Sequence, residues 1–236
     1  MIRFCFITFT LLFFSIPIFS QQYEFGIGVG GGNYVGDIGR EYYFMPNKLG
    51  GKIFIKRTIN PWFSTRVNLD YFNIHADDLQ AQSLGRQSRK IFVNGKVFQY
   101  SLGLEYNFIP LNLYLPAKRE QRFTPYMYSG IGASSFYGNV YYKNINNKFK
   151  FSGVALYIPM NLGVKYRVSR HFLLSVETGA YYYFTDNLDG TVSLYDFSSS
   201  QNIKPESTNL NSNDWYTFTS FSLIFTFGDL QCYFNF

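Results

Sequence analysis

His75-Ala76-Asp77-Asp78 sets an imidazole beside two carboxylates, the residue types that general acid/base work requires. Such a set acts only with an orienting partner and a nucleophile or held water nearby. The chain has 2 histidines, and the other, His171, falls in a turn at the opposite end of the elements derived below. His75 is therefore read as a solvated loop residue, no catalytic residue is assigned, and an enzyme is not expected. A second set is Asp37, Asp77, Asp78, Asp186 and Asp189, all expected at one rim. Clustered carboxylates can hold calcium or bridge lipid phosphates through divalent ions. Acidic loop residues also form turns, and Asp189-Gly190 is a plain turn signal, so turn formation is the preferred reading and no metal site is assigned.

Gly26-Ile27-Gly28-Val29-Gly30-Gly31 satisfies the G-x-G-x-x-G dinucleotide pattern, but the run continues through Gly32 into Asn33-Tyr34 with no helix to receive a pyrophosphate. Glycines facing a crowded interior, or allowing a strand to curve, explain it better. Cys232 is the one thiol left if Cys5 departs with a leader, so zinc and redox motifs are lacking and no cofactor is expected.

The more informative chemistry is charge set by alternation. From Val154 to Val168 every even position is apolar, while the odd ones include Asn161, Gly163, Lys165 and Arg167. A period of two places these sets on opposite faces of one strand. At about 3.3 Å per residue the run crosses a bilayer at a tilt, with the charged face turned into a barrel and the apolar face onto lipid.

Eight such segments can be counted, near 22–32, 48–59, 63–74, 95–108, 124–137, 153–168, 172–184 and 215–228. The predicted fold is all-β: an eight-stranded antiparallel transmembrane barrel with a plugged polar lumen. Its inward charges are Glu24, Lys52, Lys56, Arg66, Asp70, Glu105, Lys165, Arg167 and Glu177, a mixture of both signs expected to pair across a space that side chains can fill. Tight inside turns are expected at Asn60-Pro61 and Ser169-Arg170-His171, and a longer, basic one at 109–123. Outside loops are expected near 33–47, 75–94, 138–152 and 185–214.

Composition fits this architecture. Aromatic residues make up 21% of the chain, with 27 Phe and 21 Tyr, and interfacial girdles would use that surplus. Residues 1–20 form one apolar block headed by Arg3, read as a secretory signal peptide, with 21–236 as a single barrel domain. The large Ile18 stands where a small residue is usual before the cut. Past that block there is no run of 18 apolar residues, so no helical span is available. The net charge of +6 is scattered, which argues against nucleic acid and for lumen pairing and contact with outer-membrane lipid headgroups.

Several stretches resemble one family. Gly28-Val-Gly-Gly-Gly-Asn-Tyr-Val-Gly-Asp-Ile-Gly39, Ala76-Asp-Asp78, Arg89-Lys-Ile-Phe92, Glu105-Tyr-Asn-Phe108, Ile158-Pro-Met-Asn-Leu-Gly-Val-Lys-Tyr166 and Phe184-Thr-Asp-Asn-Leu-Asp-Gly190 look like motifs of PorG. PorG is the outer-membrane barrel component of the type IX secretion system of Bacteroidetes. PorT and OmpA-like barrels share the glycine-rich strands and the Pro-x-x-x-Gly-x-Lys-Tyr segment, whereas the pieces at 33–37 and 185–189 favour PorG. The resemblance implies a non-catalytic role in which the barrel ties the periplasmic ring of the lipoprotein PorK and PorN to the outer membrane. The expected contact surface is the basic turn with Lys118, Arg119 and Arg122, together with the tail 228–236 that carries Cys232. The alternative is an OmpA-like structural or adhesive barrel.

Overall fold

A strand that is apolar on one face and charged on the other can satisfy both faces in a membrane only by closing on itself, because closure also pairs every backbone edge. The computed structural model describes residues 22–35, 48–80, 84–89, 91–110, 122–142, 147–185 and 215–228. Its strands are β1 (Tyr23–Val35), β2 (Lys48–Thr58), β3 (Phe63–Asp77), β4 (Ile91–Asn107), β5 (Phe123–Tyr142), β6 (Asn147–Arg167), β7 (Phe172–Tyr183) and β8 (Trp215–Phe227). They form a closed antiparallel barrel in sequence order, with β8 returning to pair along β1 from Tyr23↔Phe227 to Val35↔Trp215. The proposed signal peptide lies outside the described residues.

Two tight turns close the same end of the barrel, each held by one side chain. Asn60 Oδ1 accepts from the backbone N–H groups of Trp62 and Phe63, at 2.9 and 2.8 Å. Ser169 Oγ does the same for His171 and Phe172, at 3.3 and 3.2 Å. Short polar side chains that bond to backbone two or three residues on pre-form such turns. By the rule that short turns face the periplasm, this end is the periplasmic one.

The outer wall is apolar. On β6 Val154, Leu156 and Leu162 are 76%, 65% and 59% exposed, and on β8 Phe221, Leu223, Phe225 and Phe227 all point outward. A contiguous belt of this kind is far larger than a water-soluble monomer exposes, and it matches the hydrocarbon band of an outer-membrane barrel. Rings gather at its two edges. At the periplasmic edge Trp62, Phe63 and Phe108 lie 6.3, 5.0 and 5.3 Å from Tyr106, and at the other Tyr182 lies 5.0 Å from Trp215. No helix among the described residues is long and apolar enough to cross a membrane; strands make the crossing.

The strands are unequal. β1, β2, β7 and β8 have 13, 11, 12 and 13 residues, near the 9–11 that a tilted strand needs to span, whereas β4, β5 and β6 have 17, 20 and 21. β3 through β6 therefore rise as a wall beyond the outer edge of the belt. On that wall the outward chemistry changes within one rung. Tyr71↔Phe98, Phe98↔Ser135 and Ser135↔Val154 form the last largely apolar row, and the next is Asn73, Lys96, Tyr137 and Ser152. Beyond it come His75, Asn94, Asn139 and Lys150. The inward positions invert in step, with Phe72, Ile74, Ala76, Ile91, Val93 and Val140 buried. The projection is apolar within and largely polar without, apart from Phe92 and Tyr141, whose rings stack 4.7 Å apart one row farther out.

That inversion corrects two expectations. β4 begins at Ile91, β5 runs to Tyr142 and β6 starts at Asn147, so most of the predicted loop 138–152 is strand. The predicted loop 75–94 contains the end of β3, a 3-10 turn at Asp78–Gln80, a short helix α1 (Leu84–Arg89) and the start of β4. The outward apolar alternation that marks the membrane strands breaks off there, because most of the apolar set has moved inside, at Ile74, Ala76, Ile91, Val93 and Val140. The lumen is polar and filled in its periplasmic half, and its outer part is lined largely by apolar and aromatic side chains. The predicted loop 33–47 is strand as far as Val35, and the rest of it, with most of 185–214, lies outside the described residues.

Candidate functional site

The periplasmic half of the lumen is built around two glutamates on facing strands. Glu177 of β7 accepts from four side chains: Lys52 Nζ at 2.5 Å, Arg66 Nη1 at 2.5 Å, Tyr126 Oη at 2.9 Å and Asn161 Nδ2 at 2.8 Å. Glu105 of β4 accepts from Lys56 Nζ at 3.1 Å, Arg66 Nη1 at 3.1 Å and Lys165 Nζ. Arg66 joins the two hubs. Its guanidinium also lies 4.2 Å from the Phe54 ring centroid and 4.8 Å from that of Tyr128, a cation held between two aromatic faces. Outer bonds fix the members in place: Arg66 Nε donates to Asn68 Oδ1 at 2.6 Å, and Lys165 Nζ donates to Asn107 Oδ1 at 2.8 Å.

All nine charged residues singled out from the sequence are buried. Glu24 lies 2.9 Å from Lys56 Nζ, and Asp70 stands farther off, 3.9 Å from Lys52 Nζ. Arg167 sits at the periplasmic end, where its backbone N–H donates to the Arg122 carbonyl at 2.7 Å. Desolvating this many charges is costly, and only dense pairing offsets it. The pairs here reach across the barrel, from β2 and β3 to β7 and from β6 and β2 to β4, and so occupy the space through which solute would pass.

Above this layer the lumen is aromatic and aliphatic. Phe72 stacks on Tyr216 at 4.0 Å, Tyr157 packs near Tyr181 and Tyr183, and Gln99 Nε2 donates to Tyr183 Oη. Glycine makes room for these rings: a Cβ on Gly26 would lie 2.1 Å from Phe54 Cζ, and one on Gly32 would overlap the Tyr216 hydroxyl. The apparent dinucleotide motif is thus a lumen-facing stripe within β1, which continues as strand to Val35.

The other candidates do not assemble. His75 Nδ1 lies 2.6 Å from Asn94 Oδ1 on the outer wall, whereas Asp77 Oδ1 accepts from the Leu79 N–H and Asp78 is buried. His171 lies at the opposite end, 3.4 Å from the Thr226 carbonyl. Among the described residues no three His, Cys, Asp or Glu side chains gather as metal ligands would. Asp37, Asp186, Asp189, Lys118, Arg119 and Cys232 lie outside the described residues. Tyr126, Tyr128, Asn107 and Asn161 complete the network without having been assigned to it from sequence. A count of inward charges passes over them, although the parity of β4, β5 and β6 points them inward.

The chain belongs to the DUF6089 family, a domain of unknown function whose family model matches residues 3–235. No curated protein matches the sequence. Among solved structures, a major outer membrane protein from Thermus thermophilus is similar at 16% identity, with 87% of this chain and 99% of that one covered and a TM-score of 0.49. Ail of Yersinia pestis is similar at 12% identity over 88% and 99% of the two chains, with a TM-score of 0.47. Neisserial surface protein A is similar at 13% identity over 87% and 97%, with a TM-score of 0.46. Likenesses of this order carry no argument about what the barrel binds.

Proposed function

We propose that this DUF6089 barrel is a non-catalytic outer-membrane component of a type IX protein secretion system, of the PorG kind. In this reading it anchors or stabilises the periplasmic PorK/PorN ring at the outer membrane. The supporting observation is the filled lumen. Among the described residues, charges that pair across the barrel and an aromatic layer above them fill the lumen, which supports a role carried by the barrel's outer surfaces. Two of the periplasmic turns are tight and held by Asn60 and Ser169. Arg122 and Arg167 meet there through their backbones, with Arg170 in the adjoining turn, which makes this end basic and suited to an acidic partner surface. The motif resemblance names the partners, and the basic turn with Lys118, Arg119 and Arg122 and the tail with Cys232 remain the proposed contact.

Crosslinking and pull-down of the full barrel from native membranes tests the proposal, alongside a strain in which Lys118, Arg119 and Arg122 are changed to glutamate. PorK and PorN should be recovered with the unaltered barrel and lost at least fivefold with the altered one. Recovery of neither from the unaltered strain would refute the anchor role and favour an OmpA-like structural or adhesive barrel.

A further inference from the structure

The geometry points to a binding site for the phosphate of an outer-leaflet lipid on the outer wall of β3–β6, at the line where the apolar belt ends. Three observations carry it. First, the polarity of the wall changes within one rung, from Tyr71, Phe98 and Val154 to Asn73, Lys96 and Ser152, which fixes this level as the place where acyl chains give way to headgroups. Second, a depression of about 330 Å3 opens there, at the outer end of β2, lined by Lys48, Asn73, Asn94, Lys96, Tyr137 and Asn139. Ile74, Gly95 and Gly138 complete its lining. Third, the charge has one sign. Lys48, Lys96 and Lys150 are exposed, Lys150 is the β6 partner of Asn139, and among the described residues no carboxylate pairs with any of the three. The carboxylate next along this face, Asp77, is turned to the Leu79 N–H.

Ammonium groups supply charge, and amide and phenol groups supply donors, for a tetrahedral oxyanion. A lysine near a membrane surface contributes on the order of tenfold or less to the binding of an anionic headgroup. A lipid fits better than a soluble anion because the site runs without a break into the lipid-facing rows of the same strands. A headgroup bound here leaves its acyl chains against Tyr71, Phe98 and Tyr100. The site lies at the opposite end of the barrel from the proposed ring contact and stands independently of it.

The test is native mass spectrometry of the full barrel in neutral detergent, with diphosphoryl lipid A or its fully dephosphorylated form added as probe. Lipid A should be retained, the dephosphorylated form should be retained about tenfold less, and Lys48→Gln/Lys96→Gln should lose lipid A to a similar degree. Lys48→Arg/Lys96→Arg should retain it. Equal retention of the two lipids by the unaltered barrel would overturn the site, as would full retention of lipid A by the folded glutamine variant. Saturation by inorganic phosphate with no preference for the lipid would assign the depression to a soluble anion and overturn the lipid reading. Heat-modifiable gel mobility reports folding, and the two-lipid comparison decides the matter even if the variant does not fold.

Discussion

Arg66 and Glu177 are 111 residues apart in sequence, yet the guanidinium of one meets the carboxylate of the other through two bonds, Nη1 to Oε2 at 2.5 Å and Nη2 to Oε1 at 3.3 Å. In an eight-stranded ring β3 and β7 stand opposite, so this pair is a strut across the full width of the lumen. A two-bond arginine–carboxylate contact fixes geometry as well as charge. Removing its acidic half would strand Arg66 and Lys52 in a buried space.

Glu177→Ala should therefore destabilise the folded barrel by about 3–5 kcal/mol, read from urea unfolding in detergent micelles. Arg66→Met combined with Glu177→Leu should fall short of the sum of the two single losses by about 1–3 kcal/mol. Additivity of the two would show that the strut does not act as a unit.

Gly103 and Gly130 face each other across β4 and β5, and a Cβ on either would lie 2.2 Å from a backbone oxygen of the opposite strand. Backbone cannot yield as a side-chain tip can. Gly103→Val should cost at least about 1–3 kcal/mol and slow barrel assembly, seen as loss of the heat-modifiable band. A substitution at Gly51 should be mild, since the closest atom to its Cβ would be 3.9 Å away.

The boundary of the membrane belt can be mapped by single cysteines placed in a background with Cys232 removed. Asn94→Cys and Ser152→Cys should react with a membrane-impermeant maleimide on whole cells, whereas Tyr100→Cys and Leu156→Cys should not. Labelling of all four would mean that the apolar rows are not in lipid.

How far the sequence exposes this molecule depends on which face carries the signal. The strands within the membrane were legible because apolar residues alternate outward: Phe221, Leu223, Phe225 and Phe227 declare β8, and the even positions from Val154 declare the inner part of β6. The inward charges followed from the same parity. The outer wall was not legible, because at Phe72, Ile74 and Ala76 the apolar set passes to the inside with no change in backbone period, and a search for lipid-facing residues stops at Tyr71. Pairing partners were also out of reach. Parity places Glu105 and Glu177 in the lumen, but only closure of the ring decides that Lys165 meets the first and Lys52 the second.

The most direct test of the account is the electrical behaviour of the full barrel reconstituted in planar bilayers. With cross-lumen pairs centred on Glu105 and Glu177 and an aromatic layer above them, the unaltered protein should show no stable conductance steps. Reproducible nanosiemens-scale steps would mean that the lumen is an open path, and would contradict the claim that this barrel acts through its surfaces.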